Sequence, residues 1–420
     1  MQADDTAAGE HASRTGYLAL VRSNRDFRNL WLGQVVSELG DWFTTVALFN
    51  LLLELTHRVQ AVSWLLILMH LPALVMGPLA GMLVDRLDRK RLMIVTNLVR
   101  AVLMLCYIFV RRPGQVWLVY AIAATESVLV MLFEPARTAS IPNICRKEEL
   151  IAANALSSVT WSVMLTCGSA LGGLVTAVWG REISFAIDSL SFVVSAWLIR
   201  RVTIPPRPES SAGSAAAGLR DVADGFRYLR STPPVLALML VKTGWCLGGG
   251  LLSVLSVFGQ KVFPIGGSGA AGIGVLFAAR GVGTALGPIL ARRLGGERRS
   301  SMRRSIAAGF VLGCVFYIAF GQARSLTLAW PALLVAHMGG SITWVFSTVL
   351  LQLEVPDAFR GRVFALEFAL LTLAIALSNY VAGYALDVLG LDPRIVATLV
   401  GVYFALPAVV WIAAQRLFRK

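Results

Sequence analysis

Stretches of about twenty consecutive apolar residues recur from one end of this 420-residue chain to the other. A run of that length crosses the hydrocarbon core of a bilayer as a helix, because lipid offers no partner to an unpaired backbone N–H or C=O. Twelve such runs fall at about 29–53, 61–84, 92–110, 115–138, 154–179, 183–199, 234–260, 268–291, 303–321, 326–349, 361–386 and 394–416. Composition agrees, with 56% hydrophobic and 15% charged residues against roughly 25% charged in a soluble domain. The expected fold class is an all-α polytopic membrane protein.

The net charge of +14 first points to nucleic acid or anionic lipid. Its distribution decides between them. With both termini cytoplasmic, the far side holds only Arg58, Arg111, Arg112, Arg181, Lys261, Arg324 and Arg394. Arg100, Lys242 and Arg280 fall within spans, and the remaining 28 of 38 basic residues lie on the cytoplasmic side. That four-to-one bias is the positive-inside rule, so the charge reports topology and contact with the bilayer's head groups and no nucleic-acid partner is expected. Cys106, Cys145, Cys167, Cys246 and Cys314 stand singly, without metal-ligand or disulfide spacing, and read as small packing residues with no metal site. The polar first residues lack the apolar core of a cleavable signal peptide.

Near the midpoint the apolar rhythm breaks at "RRVTIPPRPESSAGSAAAGLRDVADGFRYLRSTP" (200–233). Its Pro/Ser/Ala/Gly part is a linker. The part after it places Leu219, Val222, Phe226 and Leu229 on one helical face, suited either to the head-group surface or to packing on the protein. The expected organisation is an N-terminal tail at 1–28, a six-helix bundle at 29–200, the linker with its amphipathic helix at 201–233, and a second six-helix bundle at 234–420. The halves look alike at an offset of 210 residues. "GPLAGMLVDRLDRKR" (77–91) lies over "GPILARRLGGERRSS" (287–301), and Gly173 and Gly180 lie over Gly383 and Gly390. Two similar bundles enclosing a midplane site are a transporter plan, with access alternating as one half rocks on the other.

"GMLVDRLDRKR" (81–91) resembles the signature loop between helices 2 and 3 of the major facilitator superfamily, through Gly81, Asp85, Arg86, Arg89 and Lys90. Asp88 stands where that pattern usually has Gly. "FEPARTASIPNICRKEELIAANALSS" (133–158) and "RGRVFALEF" (360–368) are similar to the branch of drug and siderophore exporters that includes macrolide efflux proteins and the enterobactin exporter. The resemblance implies twelve transmembrane helices in two pseudo-symmetric six-helix bundles. It also implies that Asp85 faces the positive N-terminus of helix 11, as an inner-face latch that breaks when the halves rock. Arg86 and Arg89 are then placed to pair with Glu134 or lipid phosphate. The helix-5 signature of proton-coupled exporters is degraded here to "CGSALGG", with Ser169 where Pro is usual. Gly168, Gly172 and Gly173 still provide a small face for close helix packing.

An ionisable group near the bilayer centre costs at least ~2.5–3.5 kcal/mol on insertion scales and so faces protein or water. Asp41 lies near the middle of helix 1, with Glu38 on the same face, and Glu126 near the middle of helix 4. In the fold that the resemblance implies, helices 1, 4, 7 and 10 line the cavity, which brings Lys242 and His337 to it as well. A carboxylate's proton affinity depends on its solvation and its charged neighbours. Asp41 and Glu126 are therefore the proton-coupling candidates, and the competing reading is permanent pairing with Arg100, Arg280 or Lys242. Glu38, Trp42, Phe49, Lys242, Trp245, His337 and Trp344 are the candidate substrate-cavity residues. Their aromatic surfaces suit bulky amphipathic molecules, and cations could stack on them.

The expected function is secondary active export of hydrophobic or amphipathic small molecules (drug, macrolide or siderophore class), driven by proton influx. No cofactor is expected beyond the proton gradient. The expected setting is the bacterial inner membrane, with both termini cytoplasmic and the chain acting as a monomer. An uptake carrier or a lysophospholipid flippase of the same fold is the alternative. A membrane enzyme would need a nucleophile, metal cluster or phosphate loop, and a channel would need a filter or charged rings; the sequence offers none of these.

Overall fold

The computed structural model describes residues 17–205, 227–266, 269–296 and 298–418, with side chains described throughout these except at 73, 75–82, 84–86, 147, 151, 357 and 358. Among the described residues every regular element is helical. A short helix, Tyr17–Ser23, precedes six long ones: α1 (Arg25–Thr56), α2 (Val59–Arg86), α3 (Arg89–Cys106), α4 (Val116–Ile144), α5 (Leu150–Trp179) and α6 (Arg181–Arg200). The second six are α7 (Pro233–Cys246, resuming at Leu251–Val257), α8 (Ala270–Gly295), α9 (Arg299–Gln322), α10 (Leu326–Glu354), α11 (Asp357–Asp387) and α12 (Pro393–Tyr403, continuing as Ala405–Ala414). Ten of the twelve have the length and hydropathy to cross a membrane. In α2 the corresponding stretch among described residues is the shorter Val59–Pro72, and α1 carries Glu38 and Asp41.

Local chemistry sets the ends. The Asn24 side chain accepts a hydrogen bond from Phe27 N and starts α1, the usual way to satisfy an N-terminal orphan donor. Ordered helix therefore begins inside the stretch expected to be a tail, and fully buried Leu20 fixes the short helix before it. His57, at φ 53°, terminates α1. Asp88 accepts from Arg91 N and caps α3, which is the role of an acid where the family pattern carries Gly. The interruption of α7 comes from the run Gly248–Gly250. A Cβ on Gly250 would collide with Ser378 O, and one on Gly248 with the Phe404 ring. Only a glycine backbone approaches α11 and α12 so closely.

In the first bundle α1 packs on α5 and α6, α3 on α4 and α6, and α2 on α4. In the second, α10 packs on α8, α9 and α7, and α9 on α12. Two main contacts join the bundles, α5 with α8 and α2 with α11. The duplicated glycines lie in them. A Cβ on Gly173 of α5 would meet Ala270 O at 2.7 Å and Gly274 Cα at 2.9 Å on α8. A Cβ on Gly383 of α11 would meet Gln60 Oε1 at 2.5 Å and Ser63 Oγ at 2.6 Å on α2. Residues 210 positions apart thus serve equivalent seams. Of the linker, residues 206–226 lie outside the described part, including Leu219, Val222 and Phe226 of the expected amphipathic helix. The stretch leading into α7 docks on the protein, with Leu229 buried and Tyr228 stacked on Phe359 at 4.4 Å.

Candidate functional site

The seam between the bundles differs at its two ends. At the end of the 57–58 turn it is closed. Asp387, at the C-terminal end of α11, accepts hydrogen bonds from Val59 N (3.0 Å) and Gln60 N (2.7 Å), the first two backbone donors of α2. The α2 N-cap, Arg58, supplies no side-chain bond of its own, so a carboxylate from the other bundle satisfies this helix start and its positive dipole. One turn deeper, Ser63 of α2 donates to Ser253 of α7 at 3.0 Å, and Ser253 donates to Asn379 of α11 at 2.9 Å. Trp64 meets Tyr380 edge-on at 5.8 Å. At the opposite end, where the basic loops lie, Trp344 is 42% exposed, on the α10 face between α7 and α8.

Asp41 and Glu126 converge on one cation. Arg100 Nη2 donates to Asp41 Oδ1 at 2.8 Å and to Glu126 Oε1 at 3.0 Å. The Arg100 guanidinium lies 4.0 Å over the Phe192 ring. Its side chain is 6% exposed, that of Glu126 12% and that of Asp41 35%, so Asp41 is the member of the cluster open to the seam. Asp188 of α6, fully buried, accepts from Ser191 Oγ at 3.1 Å through Oδ1, while its Oδ2 has no partner. It lies within electrostatic reach of both Asp41 and Arg100. Two carboxylates thus pair with one guanidinium, and a third lies within electrostatic reach of it.

A second cluster sits in the other bundle. Lys242 Nζ donates to Glu367 Oε2 at 3.0 Å, with side chains 5% and 3% exposed, beneath Trp344 at 5.0 Å and Phe364 at 5.9 Å. Of the expected cavity residues, Trp42 and Phe49 do face the seam, 6.2 and 5.6 Å from Phe277 of α8. Trp245 does not. It packs inside the second bundle against Phe404, Phe310 and Tyr317. His337 is buried with Nδ1 2.5 Å from Tyr317 Oη, and Glu38 accepts from Gln34 Nε2 at 2.8 Å.

Among the latch residues, the side chains of Gly81, Asp85 and Arg86 lie outside the described part. Arg89 Nη1 donates to Ala139 O at 2.7 Å, and Lys90 is half-buried at the start of α3. Glu134 pairs with Arg137 at 2.8 Å, which also reaches Gln34 of α1. Gly168 and Gly172 set α5 against α1, where a Cβ would meet Trp42 Cβ at 2.8 Å and Phe43 Cα at 2.7 Å. Asp387 and Phe277 escaped the sequence reading. For Asp387 a signal existed: an acid at a helix C-terminus opposes the dipole and so calls for a donor outside its own helix.

A sequence profile of the Major Facilitator Superfamily matches residues 30–379. The chain belongs to this superfamily. It is similar to the MFS-type transporter YfiS of Bacillus subtilis (strain 168), 25% identical over 388 residues, 89% of each chain. It is also similar to macrolide efflux protein A of Streptococcus pyogenes, 29% identical over 221 residues, covering 52% of this chain and 54% of that protein. The putative bacilysin exporter BacE of Bacillus subtilis is 24% identical over 350 residues, 83% of this chain and 86% of that one. These relatives agree with the drug-exporter branch of the superfamily. The fold is shared with a variant of the nucleoside transporter NupG, at a TM-score of 0.74 and 14% identity over 93% of this chain and 100% of that one. As a superfamily member the chain is a multi-pass membrane transporter and not an enzyme.

Proposed function

We propose that this transporter exports bulky amphipathic small molecules across the bacterial inner membrane, with protons entering in exchange. The observation that carries the proton part is the imbalance around Arg100: Asp41 and Glu126 share its guanidinium, and buried Asp188 lies within electrostatic reach. In a buried site several like charges cannot all persist, so protonation among the three carboxylates reduces the excess negative charge around Arg100. Asp41, open to the seam, exchanges the proton with the cavity, and Glu126 passes the charge change to Arg100. Export as the direction draws support from the relatives named for macrolide efflux and bacilysin export. The basic loops mark the cytoplasmic face, which gives the closed end to the outside and supports reading this as an inward-facing state. In that state the Asp85 latch is expected to be released. The chain acts as a monomer, since a single copy holds both bundles.

The test is transport in inside-out vesicles under an imposed pH gradient, with a panel of amphipathic antibiotics. The parent protein is expected to accumulate at least one compound in proportion to the gradient. Asp41→Asn is expected to abolish the gradient-driven component while substrate binding survives. Undiminished coupling in Asp41→Asn would remove Asp41 from the proton path, and a parent protein that moves nothing outward would end the export reading.

A further inference from the structure

Arg100, Lys242 and Arg280 lie well inside the spanning helices, and the first two are neutralised within their own bundle: Arg100 by Asp41 and Glu126, Lys242 by Glu367. Arg280, near the middle of α8, is different. Among the described residues its guanidinium makes no ion pair and no hydrogen bond, and it lies 5.8 Å from the Phe277 ring. An isolated cation at this depth is expensive and normally finds a counter-ion. Yet the groups within its electrostatic reach are His70, Tyr317 and His337, none of them a carboxylate. Part of its surface stays accessible.

Beside it lies a second unsatisfied group. His337 is 8% exposed; Nδ1 is engaged by Tyr317 Oη, while Nε2 is buried without any partner. When the tyrosine hydroxyl donates to Nδ1, the ring proton sits on Nε2, which becomes a donor. The two residues are neighbours: Gly283, one turn beyond Arg280, would place a Cβ 3.2 Å from His337 Cβ. Arg280 lies toward the seam, within electrostatic reach of His70 of the other bundle. Phe277, one turn before Arg280, touches Trp42 and Phe49 of the other bundle. His337 shares its α10 face with the accessible Trp344. A planar cation with several N–H donors, an imidazole N–H beside it and aromatic walls together complement an anionic oxygen group.

We propose that Arg280 and His337 form the binding site for an anionic group of the transported molecule, a carboxylate or comparable oxyanion on an apolar body. The substrate thereby supplies the counter-ion that the protein omits. This deepens the export reading and rests on it for calling the ligand a substrate. The site can be read without transport, by binding to the purified full-length protein in detergent. Two matched pairs serve as probes: a rhodamine free acid with its methyl ester, and cholate with its methyl ester.

The parent protein is expected to bind each acid about tenfold or more tightly than its ester, the size of one charge-assisted hydrogen bond. Arg280→Gln is expected to weaken acid binding about tenfold and leave ester binding unchanged, which also reports an intact fold. Arg280→Lys is expected to keep part of the preference. Equal binding of acid and ester by the parent, no binding of any of the four, or equal loss of both in Arg280→Gln would each overturn the assignment. Acid preference in detergent without export in vesicles would leave the site standing and remove the export reading; export without acid preference would do the reverse.

Discussion

Asp41 and Lys242 show how a buried charge is handled in two ways within one chain. Lys242 and Glu367 form a closed pair, each almost fully buried. Removing one partner of such a pair leaves an uncompensated charge, at roughly 3–5 kcal/mol, whereas replacing both with apolar groups of similar size is near neutral. Lys242→Met is therefore expected to lower the thermal midpoint of the detergent-purified protein sharply, and Lys242→Met with Glu367→Leu to recover most of it. A double variant no more stable than the single one would mean that the pair has a role beyond mutual neutralisation. The Asp41 cluster is open, with a surplus of carboxylates and one of them accessible, which suits a group that exchanges a proton. The acids themselves were legible in the sequence, because a carboxylate in an apolar run stands out. Their partners were not, since Arg100 follows Asp41 by 59 positions and Glu367 follows Lys242 by 125.

At the scale of elements, caps were readable and junctions were not. Asn24 and Asp88 begin α1 and α3 by local geometry that any helix start shares. Asp387 acts on a helix start more than three hundred residues earlier in the chain, and nothing near it in sequence announces that. Loss of a helix cap costs about 0.5–2 kcal/mol. Because this cap also joins the bundles, Asp387→Ala is expected to loosen the closed end as well as destabilise modestly. A cysteine introduced at Gln60, in a background lacking the five native cysteines, should then react faster with a membrane-impermeant maleimide. An unchanged labelling rate would show that the serine network below holds the end shut alone. The run Gly248–Gly250, bare of any catalytic context in the sequence, is explained only by the α11 backbone and the Phe404 ring that it meets.

For the molecule as a whole, the seam is the moving part. The halves touch along α5–α8 and α2–α11, and alternating access requires the closed end to open. Ser63 and Ser253, whose hydroxyls lie 3.0 Å apart across that end, are placed for a cross-link. The pair Ser63→Cys and Ser253→Cys, in the cysteine-free background, is expected to form a disulfide under mild oxidant and to stop transport until reduced. Continued transport by the cross-linked protein would exclude opening at that point. The sequence by itself determined that twelve apolar runs become helices and that the two halves repeat, because in lipid each backbone must satisfy its own hydrogen bonds and apolar length alone decides the element. The folded structure settled which charges are neutralised, which acid is accessible and which arginine has no ion pair among the described residues. Electrostatic pairing acts over a few ångströms of space, and separation along the chain does not predict it.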